Sequence, residues 1–233
     1  MHSSNTYFIT NGMKAGIDNI LRMGRRLHLG ESLRLPTHQE TKGIFPSSEK
    51  VHSGWSDGDT ANLCIGQGYI DVTPLQMAVM TSALANGGTV LWPRLVDRIE
   101  PQDPASDETP TVFAKGVVRD HLGVSPRNLK ILEDAMRDEV EEGGTGARAM
   151  VPGLQICGKT GTAQITNEKN KEVDTTTWFA SFAPYGHPRY AVIVMIESGS
   201  FGSVTCAPIA AKIYEAILKA ERSKSAQNVA QSQ

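Results

Sequence analysis

Cysteine is scarce in this chain: three in 233 residues, at positions 64, 157 and 206. They are odd in number, show no CxxC spacing and have no histidine beside them. That argues against a metal site or a catalytic thiol and leaves small buried side chains as the reading. A bridge between Cys157 and Cys206 stays open, because pairing is not legible from spacing. The six histidines are equally scattered, so none is assigned a role, and no cofactor motif stands out. An excess of charge of either sign is also missing: 23 Lys and Arg face 25 Asp and Glu, for a net charge of -2. Nothing electrostatic therefore favours nucleic acid, which calls for a basic stripe. Long hydrophobic runs are absent too. The longest, residues 191–196, falls far short of the ~20 residues that cross a bilayer as a helix. The first residues lack the basic-then-apolar pattern of a signal peptide. No internal repeat is evident.

The length allows one large domain with a sizeable core, or two small ones. Residues 7–26 carry Phe8, Met13, Ile17, Ile20 and Leu21 near helical spacing, and Leu29-Gly30 ends the stretch. Residues 31–62 are rich in Gly, Ser, Thr, Asp and His and are interrupted by Pro36 and Pro46. They read as a long irregular loop. Thr73-Pro74-Leu75-Gln76 is a well-formed helix start, with a capping Thr, Pro at the first helical position and Gln76 able to bond back. The helix it opens is apolar on nearly all faces, should be buried, and stops at Asn86-Gly87-Gly88. A second helix is predicted from Ser125-Pro126, with Leu129, Leu132, Met136 and Val140 on one side, ending at Gly143-Gly144. Residues 154–165, 179–183 and 190–197 read as strands, the last two joined by a hairpin loop at 184–188. A final helix begins near Pro208, and residues 223–233 read as a polar, flexible tail.

Two chemistries compete for Lys159. Residues 153–160 fit the phosphate-loop pattern G-x-x-x-x-G-K-[ST], while Lys159-Thr160-Gly161 is the triplet of active-site serine enzymes that recognise penicillin. A phosphate loop needs a glycine-rich turn followed by a helix whose first amides face the phosphate. Here Leu154-Gln155-Ile156-Cys157 alternates like a strand, the glycine-rich stretch lies earlier at 143–146, and Gly161 stands where the helix should begin. The serine-enzyme reading explains each residue better. Gly161 lets an extended peptide approach a strand edge, Thr160 and Thr162 supply hydroxyls, and Lys159 supplies positive charge for a carboxylate.

Three further stretches carry a resemblance. Ser3-Ser4-Asn5-Thr6-Tyr7-Phe8 matches an S-x-N element, with Ser3 and Asn5 as its reading residues. Gly66-Gln67-Gly68-Tyr69 followed by Thr73-Pro74-Leu75-Gln76-Met77-Ala78 looks like a class B transpeptidase signature. Trp178-Phe179-Ala180-Ser181-Phe182-Ala183-Pro184 resembles the strand that pairs beside a Lys-Thr-Gly strand. In this order, from residue 3 to about 220, the chain resembles the penicillin-binding proteins of class B, more the cell-elongation than the division type. The resemblance implies an α/β fold of α+β type, an antiparallel sheet flanked by helices as in penicillin-binding proteins and serine β-lactamases. One partial transpeptidase domain over residues 1–222 is expected, incomplete on its N-terminal side.

The resemblance further implies D-alanyl-D-alanine transpeptidation through a serine acyl-enzyme, with peptidoglycan stem peptides as substrates and β-lactams as mimics. Ser3 and Lys159 would pass a proton toward the leaving group, Asn5 would hold the donor amide, and Thr160, Gly161 and Thr162 would line the donor carboxylate. A cell-wall glycosyltransferase is the implied partner, no metal or cofactor is expected, and the address is the outer face of the bacterial inner membrane through an N-terminal anchor. The family's nucleophile lies in an S-x-x-K motif upstream of S-x-N, which these 233 residues lack. Ser47-Ser48-Glu49-Lys50 fits that string, but follows Pro46 in a polar stretch and comes after S-x-N, so a solvated loop is the expectation. Loss of a serine nucleophile can cost ~10⁶ in turnover, so the isolated chain is expected to be catalytically silent. A carboxylate-binding pseudo-transpeptidase is the alternative reading, and a phosphate-loop hydrolase a further one.

Overall fold

The computed structural model describes residues 3–37, 39–103, 107–166 and 172–231. Helices α1 (Asn5–Ala15) and α2 (Ile17–Arg26) come first, α1 opened by the Ser4 side chain accepting from the Tyr7 amide. The stretch read as one helical segment is two, because Gly16 adopts φ 82° between them, a conformation open to glycine at little cost. The segment expected to be a long irregular loop contains two short helices, α3 (Ser48–His52) and α4 (Asp57–Leu63). Each is started by a serine, Ser47 or Ser56, and Ser56 forms a full capping box with Asp59. Polar composition hid the helices because their starts are made by the same side chains that mark loops.

Helix α5 (Pro74–Ala85) starts as expected at Thr73, with the reciprocal Thr73–Gln76 capping box in place. It is followed by strands β1 (Thr89–Leu91), β2 (Arg98–Ile99), β3 (Thr111–Val112) and β4 (Val118–His121), short pieces not anticipated from the pattern. β1 pairs antiparallel with β4, and β2 with β3. Helix α6 (Pro126–Val140) is capped by Ser125. After a turn of 3-10 helix at Ala147–Ala149 come β5 (Cys157–Thr166), β6 (Glu172–Ala183) and β7 (Tyr190–Glu197). They form an antiparallel sheet in the order β5-β6-β7, with the expected hairpin loop between the last two running over residues 184–189. Helices α7 (Gly202–Thr205) and α8 (Ala207–Gln231) close the chain. α8 runs through most of the region read as a flexible tail. Residues 223–231 contain no Gly or Pro to stop a helix begun upstream.

Side-chain alternation along the strands divides the sheet into two faces. Phe179, Ala183, Val192 and Val194 point to one side, where Ala207, Ala210 and Tyr214 of α8 cover them. Cys157 and Phe182 point to the other, against Met136 of α6 and Ala85 of α5. The opposite flank of α5 buries Val79 and Ala83 in a separate cluster with Leu33, Leu35, Val90 and Leu122. The architecture is thus an antiparallel sheet between helices.

Gln76 ties α5 to the loop before it. It is 3% exposed, accepts from the Thr73 amide at 2.9 Å and donates to the Lys42 and Glu31 carbonyls at 2.9 and 3.2 Å. Gln76→Ala should cost about 2 kcal/mol, since it removes a cap and the two side-chain bonds that tie the loop to α5; urea unfolding measures this. All three cysteines are free. Burial, reinforced by the Glu133 charge, pushes the Cys157 thiol up to about 12. A thiol reagent at pH 8 should therefore titrate no more than Cys64 in the folded chain and all three thiols in urea.

Candidate active site

The site is assembled where the end of α6 meets β5. Leu129, Met136 and Val140 form the buried stripe of α6, and Glu139 lies on the same side, only 2% exposed. Beyond Val140 the glycine-rich segment folds back: the Gly146 amide donates to the Glu139 carbonyl at 2.8 Å. A Cβ on Gly144 would sit 2.1 Å from that carbonyl oxygen, so the turn tolerates no side chain there. This return delivers Thr145 to the Glu139 carboxylate, to which its hydroxyl donates.

β5 brings the remaining donors. Lys159 Nζ lies 3.2 Å from Glu139 Oε1, the Thr160 hydroxyl 3.0 Å and the Thr160 amide 3.4 Å. The Thr145 and Thr160 hydroxyls are themselves 2.9 Å apart. Lys159 also donates to the Thr160 carbonyl at 2.8 Å. Its side chain is 36% exposed, so the ammonium spans the boundary between Glu139 and solvent. On its outer edge β5 has no partner strand among the described residues.

Gly161 pairs with Trp178 across the sheet, and the start of α7 lies over them. A Cβ on Gly202 would be 2.4 Å from the Trp178 carbonyl oxygen and 2.6 Å from that of Gly161. The Gly202 amide donates to Thr162 Oγ1 at 3.3 Å, and Thr162 is exposed, leaving its O–H free to donate outward. A strand edge bearing a cation and an outward hydroxyl is suited to an extended chain that ends in a carboxylate.

Of the residues singled out from sequence, Lys159, Thr160, Gly161 and Thr162 are consecutive on β5, and the first two share Glu139. Ser3 and Asn5 stand exposed at the start of α1, a helix that packs on α2 and α4, and neither side chain hydrogen-bonds to Lys159. Gly66 and Gly68 form the turn after α4, at φ 72° and 78°. Ser47 and Lys50 lie not in a loop but at the start of α3. The Ser47 hydroxyl accepts from the Lys50 amide at 3.2 Å and, by hydrogen bonding to Glu49, holds that carboxyl below its usual range. The Lys50 ammonium sits 5.1 Å over the Tyr69 ring, so the pair is a helix cap rather than an activated nucleophile. The phosphate-loop reading fails on the fold: Lys159 and Thr160 lie inside a strand that continues to Thr166, with no helix start to receive phosphate.

Sequence reasoning missed Glu139, Thr145 and Gly202. For Glu139 a signal existed, a carboxylate on the apolar stripe of an amphipathic helix. For Thr145 and Gly202 there was none, because their partners are distant in the chain.

An antiparallel sheet between helices, with Lys-Thr-Gly on its outermost strand, defines a class of protein, and comparison with known proteins supplies the family. Residues 1–215 match the penicillin binding protein transpeptidase domain, and the chain belongs to that family. It is 31% identical over 232 residues to the peptidoglycan D,D-transpeptidase MrdA of Haemophilus influenzae, covering 91% of this chain and 34% of that protein. It is 30% identical over 229 residues to the peptidoglycan D,D-transpeptidase PbpA of Mycobacterium tuberculosis, covering 94% of this chain and 43% of the relative. The solved structure of penicillin binding protein 3 from Mycobacterium tuberculosis with aztreonam superposes with a TM-score of 0.79 at 28% identity, over 94% of this chain and 50% of that one. The chain thus spans roughly a third to two-fifths of the length of these two curated relatives.

The asymmetry of exposure within the Lys159–Glu139 pair sets a testable order. Lys159→Met leaves a buried carboxylate without its cation and should cost about 3 kcal/mol. Glu139→Gln keeps the shape and leaves a lysine that water can reach, so its cost should be about half of that. Chemical denaturation of the two variants checks the order.

Proposed function

We propose that this chain forms the donor-recognition side of a peptidoglycan D,D-transpeptidase that cross-links stem peptides through a serine acyl-enzyme. The single observation that carries the reading is the outer edge of β5, unpaired among the described residues and presenting Lys159 and Thr162 beside Gly161, in a chain of the penicillin-binding family. A stem peptide ending in D-alanine would lie along this edge as an added strand, its carboxylate toward the cation and the Thr162 hydroxyl. Ser3 and Asn5 belong to the same site in this reading, as proton relay and amide holder; that requires the start of α1 to approach Lys159. β-Lactams occupy the donor position, as the aztreonam complex of the Mycobacterium tuberculosis relative suggests by analogy. The likeness to the MrdA relative fits an elongation-type enzyme; in this reading the enzyme acts with a cell-wall glycosyltransferase on the outer face of the inner membrane. Among the described residues no helix is long and apolar enough to cross a membrane.

Among the described residues no serine hydroxyl hydrogen-bonds to Lys159, and Ser47 is committed to capping α3. The acylating serine is therefore assigned to an S-x-x-K segment outside these residues. Incubated with benzylpenicillin, the 233-residue chain should keep its intact mass. Combined with the preceding part of the transpeptidase domain of the Haemophilus influenzae relative, it should gain one penicilloyl adduct, lost in Lys159→Ala. An adduct on the chain alone that disappears in Ser47→Ala would overturn the assignment of the nucleophile. Binding of an acyl-D-alanyl-D-alanine peptide without acylation in the combined form would replace transpeptidation by a carboxylate-binding module.

A further inference from the structure

We propose that Glu139 is the positioning residue of the site: it fixes the direction of the Lys159 ammonium and turns the Thr160 hydroxyl inward. The proposal rests on the transpeptidase reading of β5 and goes beyond it, since Glu139 belongs to none of the motifs that suggested that reading. Three observations meet here. The carboxylate is 2% exposed, yet the Lys159 ammonium, the Thr160 amide and hydroxyl and the Thr145 hydroxyl all converge on its Oε1. The backbone is shaped to hold it, through the Gly146 amide on the Glu139 carbonyl and the lack of room for a side chain at Gly144. The ammonium carries three N–H donors, and Glu139 and the Thr160 carbonyl accept two of them.

One Lys159 N–H is left for substrate or for a reacting hydroxyl, and its direction is set by the two already bound. The Thr160 hydroxyl already serves a carboxylate inside the protein. Recognition of a donor carboxylate on β5 therefore falls to Thr162 and that last N–H, instead of being shared with Thr160.

Lysine-ammonium NMR on the ¹⁵N,¹³C-labelled chain tests this, with Lys159→Arg assigning the signal. In the unmodified chain, scalar coupling across the hydrogen bond should link Lys159 Nζ to the Glu139 carboxyl carbon; coupling to a different carboxylate would overturn the proposal. In Glu139→Gln, with the Thr145 and Thr160 amide signals reporting an intact fold, ammonium hydrogen exchange should accelerate about tenfold or more. Unchanged exchange in that folded variant would reduce Glu139 to a structural residue and sink the proposal. Should Glu139→Gln not fold, the coupling in the unmodified chain decides alone. The benzylpenicillin experiment fails or succeeds independently of this coupling, so an error in the transpeptidase reading and an error in the role of Glu139 remain distinguishable.

Discussion

Convergence of four donors on Glu139 Oε1 is the interaction on which the rest of the site depends. A carboxylate this deeply buried is tolerable only when it is paired and hydrogen-bonded. The chain meets that requirement with donors from two places, the glycine-rich return and β5. Because each donor is also part of the site, the condition for burying Glu139 is the condition for placing Lys159 and Thr160. Stability and site geometry are therefore coupled through one oxygen. The coupling also explains glycines that serve no phosphate: Gly144 and Gly146 lie against the Glu139 carbonyl, at Gly144 too closely for a side chain, and Gly143 turns the chain at φ 85°.

The remaining architecture supplies a rigid strand for this arrangement. β5 is held on one side by ten residues of pairing with β6, and its two faces are covered by α6 and by the α7–α8 region. Among the described residues only its outer edge is left unpaired. Edges of this kind are a hazard for aggregation and an opportunity for binding extended chains. Under the proposed reading the second use would account for the exposed Thr162, the side-chain-free Gly161 and the partly exposed Lys159 together. The small sheets β1–β4 and β2–β3 lie apart from this edge, and α5 joins the two regions by burying one flank in each.

Legibility from sequence followed the range of the interactions. Helix α5 was read correctly from Thr73 to Asn86 because its cap, its first proline and its stop are all local. Strand β7, most of β5 and the hairpin between β6 and β7 were legible for the same reason, from alternation bounded by proline and glycine, whereas β6 was anticipated only from Phe179 and its first seven residues, Glu172 to Trp178, were not. The short helices α3 and α4 were not, since serine and aspartate serve caps and loops alike. The last turns of α8 were missed because continuation of a helix already nucleated asks less of a sequence than starting one.

At the site, sequence alone determined which residues stand together on β5 and that a lysine, a glycine and two hydroxyls alternate along it, because covalent order and strand period require it. The phosphate-loop pattern at residues 153–160 stayed open in the sequence and was closed by the strand that contains Lys159 and Thr160. Tertiary structure decided the partners. It chose which hydroxyl faces inward and which outward, brought Glu139 and Thr145 to Lys159, and left Ser3 and Asn5 without a bond to it. Those outcomes rest on contacts between residues up to 21 positions apart within the cluster and on burial, which no local pattern encodes. Charge buried on a helix face had meaning only once its donors were in place.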